Sequence, residues 1–408
     1  MNQTTGVDLN IVEEHFEEME FLWGQWRRAK GSSLFTQLDV ARIEERIKAH
    51  AAALQAYRLY AESYILQRLK SDSAAEVFAA AWWLLTIKAK GAELAMLERL
   101  QVESKPTMQR ALTEAMGQVS SSGFAAKAFE LNSNDLHEIH FLQLRLATEY
   151  NPSLIRKYPL TKYLRAADAE LRLRAWETAR WCPLTVTPEQ TLAGALDTDS
   201  RVRRVALEIA AWSGQTWVLE HCRRAAVKPT VENLAELEFL AILGNEKDGA
   251  LLLNLANKVQ LGPERYRILG SSGWASGVPC LLQAMSSAKP ADAAAAGATF
   301  TRITGRTLRV IKTVTIPPED GSVADDFEKE FLKEVAVPDV KEAQEFWREN
   351  ADKFGPGLRY SQGLPVPDAP PFSPELDILS IREAALRSAF EGRTGPTAVD
   401  FEQFPTEL

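Results

Sequence analysis

The chain has 408 residues, 46% hydrophobic and 25% charged, with a formal net charge of −8. This composition suits a soluble, ordered chain. Residues 1–65 carry 7 basic and 10 acidic side chains, 66–305 carry 28 and 25, and 306–408 carry 12 and 20. No segment has the strong basic stripe expected of a nucleic-acid binder.

Met1 to Asn10 is polar and lacks the basic start and apolar core of a signal peptide. Residues 11–65 predict two long helices. Ile11, His15, Met19 and Leu22 share one face of the first. After Gly31-Ser32-Ser33, a helical pattern runs from Leu38 to Leu69 through Ile43, Ile47, Leu54 and Leu59, with Asp39 placed to cap it. Residues 1–65 are expected to form an N-terminal helical cap.

A repeat follows over 66–305. Apolar residues recur at Leu69, Leu100, Leu131, Leu164, Leu196 and Val227, with gaps of 31, 31, 33, 32 and 31. Two weaker copies start near Leu255 and Met285. In the clearest copy, Asp199 or Ser200 caps a helix whose Val202, Val205, Ala206, Ile209 and Ala210 form one apolar face. Gly214 suits the left-handed residue after its end. Other copies open on Asp72 or Ser73, Asp168, Thr230 and Ser286. The longest apolar run, Val77 to Leu85, is short of the ~20 residues that cross a membrane, so Trp82 and Trp83 are expected in a core. The expected fold is all-α, a HEAT-like α-solenoid of about eight helix pairs.

Residues 306–408 form an acidic, mixed extension. Leu308, Val310, Val314 and Ile316 predict a strand, ended by Pro317-Pro318. Helices are predicted over 323–335 and over 339–354, the second capped by Asp339. Gly355 to Pro371 holds five prolines and three glycines and predicts an extended loop. Ser373-Pro374-Glu375 is expected to start a last helix ending near Gly392, with loose residues after it. An extended apolar groove would be an interaction surface; a closed groove filled by 306–408 would move the site elsewhere.

Few residues suggest chemistry. His137-Glu-Ile-His140 lacks the HExxH spacing of a zinc protease and predicts a helix-surface or packing pair. No GxSxG, Walker A or GxGxxG motif is present. Cys182, Cys222 and Cys280 form no CxxC pair, which points to a reducing cytoplasm and no disulfide framework. No catalytic, cofactor or metal residue is assigned.

The repeats resemble HEAT-like repeats of the phycobilin-lyase type. The whole chain resembles a bacterial HEAT-repeat family through Val12-Glu-Glu-His15, Phe21-Leu-Trp23, Leu38-Asp39, Arg46 and Ala49-His50 at one end. At the other end the likeness rests on Ile303-Thr-Gly305, Trp347, Asn350, Phe354, Gly357, Arg359-Tyr360 and Gly363. The resemblance implies a type VI secretion-associated accessory, an immunity protein, effector chaperone or adaptor, whose partner is a PAAR-like toxin or secretion-tip protein. The expected function is therefore non-catalytic protein binding. Arg172, Arg201, Arg204, Trp217 and Arg224 are the candidate contacts, although the arginines also fit ordinary solvated helix positions. Two alternatives stand beside it. One is a lyase-like enzyme or enzyme subunit, which a deep pocket lined by Asp, Trp and Arg would favour. The other is a nucleic-acid binder, disfavoured by charge.

Overall fold

The computed structural model describes residues 9–119, 121–131, 137–316 and 334–403. Its helices are α1 (Leu9–Ala29), α2 (Gln37–Ala56), α3 (Arg58–Arg68), α4 (Ala74–Thr86), α5 (Ala92–Val102), α6 (Pro106–Gln118), α7 (Ser122–Phe129), α8 (His137–Tyr150), α9 (Thr161–Leu164) and α10 (Ala169–Trp181). They continue as α11 (Pro188–Gly194), α12 (Ser200–Trp212), α13 (Trp217–Val227), α14 (Leu234–Leu243), α15 (Gly249–Leu255), α16 (Glu264–Ser272), α17 (Val278–Met285), α18 (Pro290–Thr304), α19 (Val340–Asn350) and α20 (Ile378–Phe390). Strands β1 (Val310–Thr315) and β2 (Glu334–Pro338) pair antiparallel, as do β3 (Arg359–Ser361) and β4 (Leu364–Val366). The described chain is thus mostly helical. No described helix is long and apolar enough to cross a membrane.

Two compact units are formed, one by residues 1–190 with 398–408, the other by 191–397. The division falls inside the repeated segment. Alternate helices α4, α6, α8, α10, α12, α14, α16 and α18 begin at residues 74, 106, 137, 169, 200, 234, 264 and 290, so the sequence period marks successive helix pairs. Within the first unit α4, α6, α8 and α10 pack in series; within the second, α12, α14, α16 and α18 do.

Caps explain where many of these helices start. Ser73, Asp168, Asp199 and Asp339 each accept a hydrogen bond from a first-turn N–H, satisfying a donor the helix itself leaves orphaned. Gly214 has φ 65°, as its place after α12 requires. In the first unit α1 packs on α2, α3 and α4, and Trp23 stacks between Trp26 and Phe78 at 4.7 and 4.1 Å. In the second, Trp347 and Phe354 pack against the core that α14, α16 and α17 share.

Several expectations need correction. Asp39 is not the cap of α2: Thr36 is, and Asp39 closes the capping box three residues on by accepting from the Thr36 N–H. The long second helix breaks at Tyr57, and Leu59 ends up 87% exposed. The predicted helix over 323–335 lies outside the described residues except 334 and 335, which belong to β2. The Pro/Gly-rich stretch holds the β3–β4 hairpin, because Gln362 and Gly363, both at positive φ, make the tight turn between strands. Asp377 rather than Ser373 caps the last helix, which starts at Ile378. The residues after it are not all loose: Ala398 and Phe401 are buried in the first unit.

Candidate functional site

The first unit has an open cleft of about 280 Å3 along the face shared by α4, α6, α8 and α10. One wall is aromatic. Trp23 and Trp26 of α1 and Phe78 of α4 line it, and the Lys30 ammonium sits 4.0 Å from the Trp26 ring centroid. The indole Nε1 of Trp26 donates to Glu44 at 2.7 Å, which fixes the ring. Trp181 of α10 contributes a further indole, and Glu402 closes part of the rim through Arg180 at 3.7 Å.

Charged side chains line the rest of the cleft. Six basic side chains (Arg27, Lys30, Arg110, Arg145, Arg174 and Arg180) line the cleft against three carboxylates, Glu114, Glu177 and Glu402. Most are paired with each other. Arg110 reaches Glu114 at 3.0 Å and Glu177 at 2.9 Å, and Arg27 reaches Glu114 at 3.4 Å. Arg174 holds Glu138 at 2.7 Å, and Thr113 donates to the same carboxylate at 3.0 Å. Burial opposes ionisation of Glu114, but Arg27, Arg110 and Arg174 together outweigh it and hold its pKa below the usual glutamate value.

Arg145 is different. Among the described residues it has no hydrogen-bond or ion-pair partner. Its guanidinium carbon lies 3.7 Å from the Trp181 ring centroid, a cation–π contact. On its other side it passes over Gly117 of α6, where a Cβ would fall 2.5 Å from Nη1. A glycine inside a helix costs about 1 kcal/mol against alanine, and here it opens the space the guanidinium fills. Burial pushes the Arg145 pKa down to about 10, only partly offset by Cys182, Glu149 and Glu114, so the group is a cation at neutral pH.

The corresponding face of the second unit is not open. There α20 packs on α12 and α14, and Arg382 of α20 bonds Glu208 of α12 at 2.6 Å. Glu383 of the same helix takes Arg302 of α18 at 2.7 Å. The extension thus fills the face in the second unit, which moves the candidate site to the first.

The residues singled out in the sequence lie elsewhere. Arg172 donates through Nη1 to the carbonyls of Ala166 and Ala167, both at 2.9 Å, and so ties the loop before its own helix. Arg201 is exposed and bonds its own cap residue Asp199 at 2.7 Å. Arg204 is half exposed and pairs with Glu238 of α14. Trp217 is partly buried and donates to Gln215 at 2.7 Å, and Arg224 is exposed. None of these five lines the cleft. Glu138 of the His137-Glu-Ile-His140 cluster is turned to Arg174, and His140 is buried against Tyr163 at a centroid distance of 4.9 Å. No group of His, Cys, Asp and Glu suited to a metal ion occurs among the described residues.

Sequence reasoning missed Arg110, Arg145 and Arg174. The available signal was Arg145 itself, a charged residue between Leu144 and Leu146 in an apolar helix, with Gly117 inside another. Compared with protein-family models and with curated proteins, the chain matches none.

Proposed function

We propose that this chain is a non-catalytic binding protein, an α-solenoid of HEAT-like helix pairs that holds a protein partner in the first unit's cleft. The observation that carries the reading is the gathering of Trp23, Trp26 and Trp181 with six basic side chains in one open cleft. Tryptophan and arginine are the residue types that dominate binding energy at protein interfaces. The basic excess favours a partner that presents an acidic segment there, because charge complementarity steers and orients association. The resemblance of the end motifs adds the narrower proposal of a secretion-associated accessory, either an immunity protein or an effector chaperone or adaptor acting on a PAAR-like toxin or tip protein.

The enzyme alternative draws on the same tryptophan- and arginine-lined cleft. Against it, Glu114 and Glu177 are both clamped by guanidinium groups, and the Glu114 pKa is lowered. A carboxyl that works as a general acid needs the reverse shift.

The test is affinity purification from the native host with mass spectrometry of what is retained. The tag belongs at the N-terminus, because residues 398–403 are built into the first unit. Recovery of one stoichiometric protein partner supports the reading, and a toxicity-rescue assay then separates immunity from chaperone activity. Recovery of no protein, with a chromophore bound to the purified chain, would replace binding with the enzyme reading.

A further inference from the structure

We infer that Arg145 is a built oxyanion site, and that it takes a single carboxylate of an acidic side chain brought into the cleft by the partner. The inference rests on the cleft being the binding surface proposed above.

Three observations carry it. First, the guanidinium is held in place before any ligand arrives: Trp181 stacks on it at 3.7 Å, and Gly117 leaves room for it on α6. A guanidinium fixed in this way gives up little freedom when it binds a planar carboxylate. Second, the neighbouring cations are already neutralised within the cleft. Arg110 and Arg174 have Glu114, Glu138 and Glu177, whereas Arg145 has no such partner among the described residues. A partly buried cation left without a partner is costly, and the cleft gives an incoming anion access to it.

Third, the chain shows what completes such a face. One position of the repeat carries Glu114, Arg145, Glu177 and Glu208, at spacings of 31, 32 and 31 residues. In the second unit the charge at this position, Glu208, is met by Arg382 of α20, and Arg302 of α18 by Glu383 of the same helix α20. Both charges are thus completed by a helix laid on the face. In the first unit no described helix supplies the complement to Arg145. A partner segment offering a carboxylate would do for Arg145 what Glu383 does for Arg302. The partly exposed indole of Trp181 would meet the apolar body of that segment, while Trp23 and Trp26 are buried behind it.

The experiment uses the full chain and three small probes: benzoate, benzyl alcohol and phenyl phosphate. Binding is followed by tryptophan fluorescence and calorimetry. Saturable binding of benzoate but not of uncharged benzyl alcohol is expected. Arg145→Met should weaken benzoate about ten- to a hundredfold, the range for loss of hydrogen bonds to a charged group. Gly117→Ala keeps the charge, and its Cβ displaces only the flexible end of Arg145, so the fold survives while benzoate weakens similarly.

Absence of saturable benzoate binding overturns the site, as does unchanged binding in both variants. Phenyl phosphate bound more tightly than benzoate through Arg145 overturns the carboxylate assignment in favour of a phosphate. A partner captured from the host equally well by Arg145→Met removes the site and leaves the binding function standing. Benzoate held by Arg145 in a chain that captures no partner does the opposite.

Discussion

Arg359 lays its guanidinium over the indole of Trp274, 4.6 Å from the ring centroid, at the point where the β3–β4 hairpin meets the helices of the second unit. The same guanidinium donates to the carbonyls of Ala241, at 2.9 Å, and of Gly244 and Ser272. These carbonyls close α14 and α16, where helices carry orphan acceptors and partial negative charge. The Tyr360 N–H adds a bond to Gly273 at 2.7 Å. Burial, then repulsion from Arg387, pushes the Arg359 pKa down to about 9, and the group stays a cation at neutral pH. The Arg359-Tyr360 pair that marks one end of the family resemblance is therefore a clasp holding the hairpin to the helix ends.

Arg359→Met should destabilise the second unit by roughly 3 kcal/mol, because several buried carbonyls lose their donor together. Arg359→Lys should recover little of this, since an ammonium lacks the planar fork that reaches separate carbonyls. Chemical denaturation of both variants checks it. A methionine variant that unfolds with the wild type would show that the clasp contributes nothing.

The two ends of this clasp were unequally legible in the sequence. The helices were legible, because a side-chain cap and a face of apolar residues are local signals: Asp168 and Asp199 announced α10 and α12. The hairpin was not, because its proline content reads as a loop and its strands are held by tertiary partners, Gly273 and the helix carbonyls. Ser373-Pro374 and Asp377 are both patterns that start helices, and only packing chooses Asp377. The cleft was hidden for a related reason. Its arginines matter through pairings between different repeats, and residue spacing alone does not say which arginine keeps a carboxylate and which lacks one. Arg201 and Arg204 are candidate contacts in the sequence, yet Arg201 is paired with its own cap residue Asp199 and Arg204 with Glu238 of the next repeat.

His140 makes the first unit sensitive to acid. Burial chiefly lowers its pKa below 6.5, with repulsion from Lys162 added and the nearby Pro159 and Tyr158 backbone partly opposing. The imidazole is therefore neutral in the folded state at a pH where the unfolded chain takes up a proton. Stability from this group is complete above about pH 6.5 and is lost as pH falls through that value toward the lowered folded pKa. Thermal melts from neutral pH to about pH 5 should fall less steeply for His140→Phe than for the wild type. Parallel curves for the two proteins would remove His140 from the account.

The three thiols should react in a fixed order. Cys182 and Cys222 are buried, and burial pushes the Cys182 pKa up to about 11 and the Cys222 pKa higher still. Reaction needs the thiolate and access to it, so both should resist alkylation until the chain unfolds. Cys280 is partly exposed and should be labelled first. Mass spectrometry of the native protein after brief iodoacetamide treatment reads the order, and modification of Cys222 before Cys280 would contradict the burial described for α13.

Arg172 and Arg203 occupy the same place in successive helix pairs, each four residues after its capping aspartate, Asp168 or Asp199. Each donates through Nη1 to two carbonyls of the preceding loop: Ala166 and Ala167 for Arg172, Asp197 and Thr198 for Arg203. Arg203 also holds the buried Glu236 at 3.2 Å. Alanine at either position should cost stability, about 1–2 kcal/mol at Arg172 and more at Arg203, because loop carbonyls and a buried carboxylate lose their donor. Arg201→Ala should change stability by less than about 0.5 kcal/mol, since its exposed bond to Asp199 is worth little beside the backbone cap. If Arg172 acts instead as a partner contact, its alanine variant will unfold with the wild type and lose only affinity. Denaturant midpoints measured beside capture of the partner separate the two roles in one set of variants.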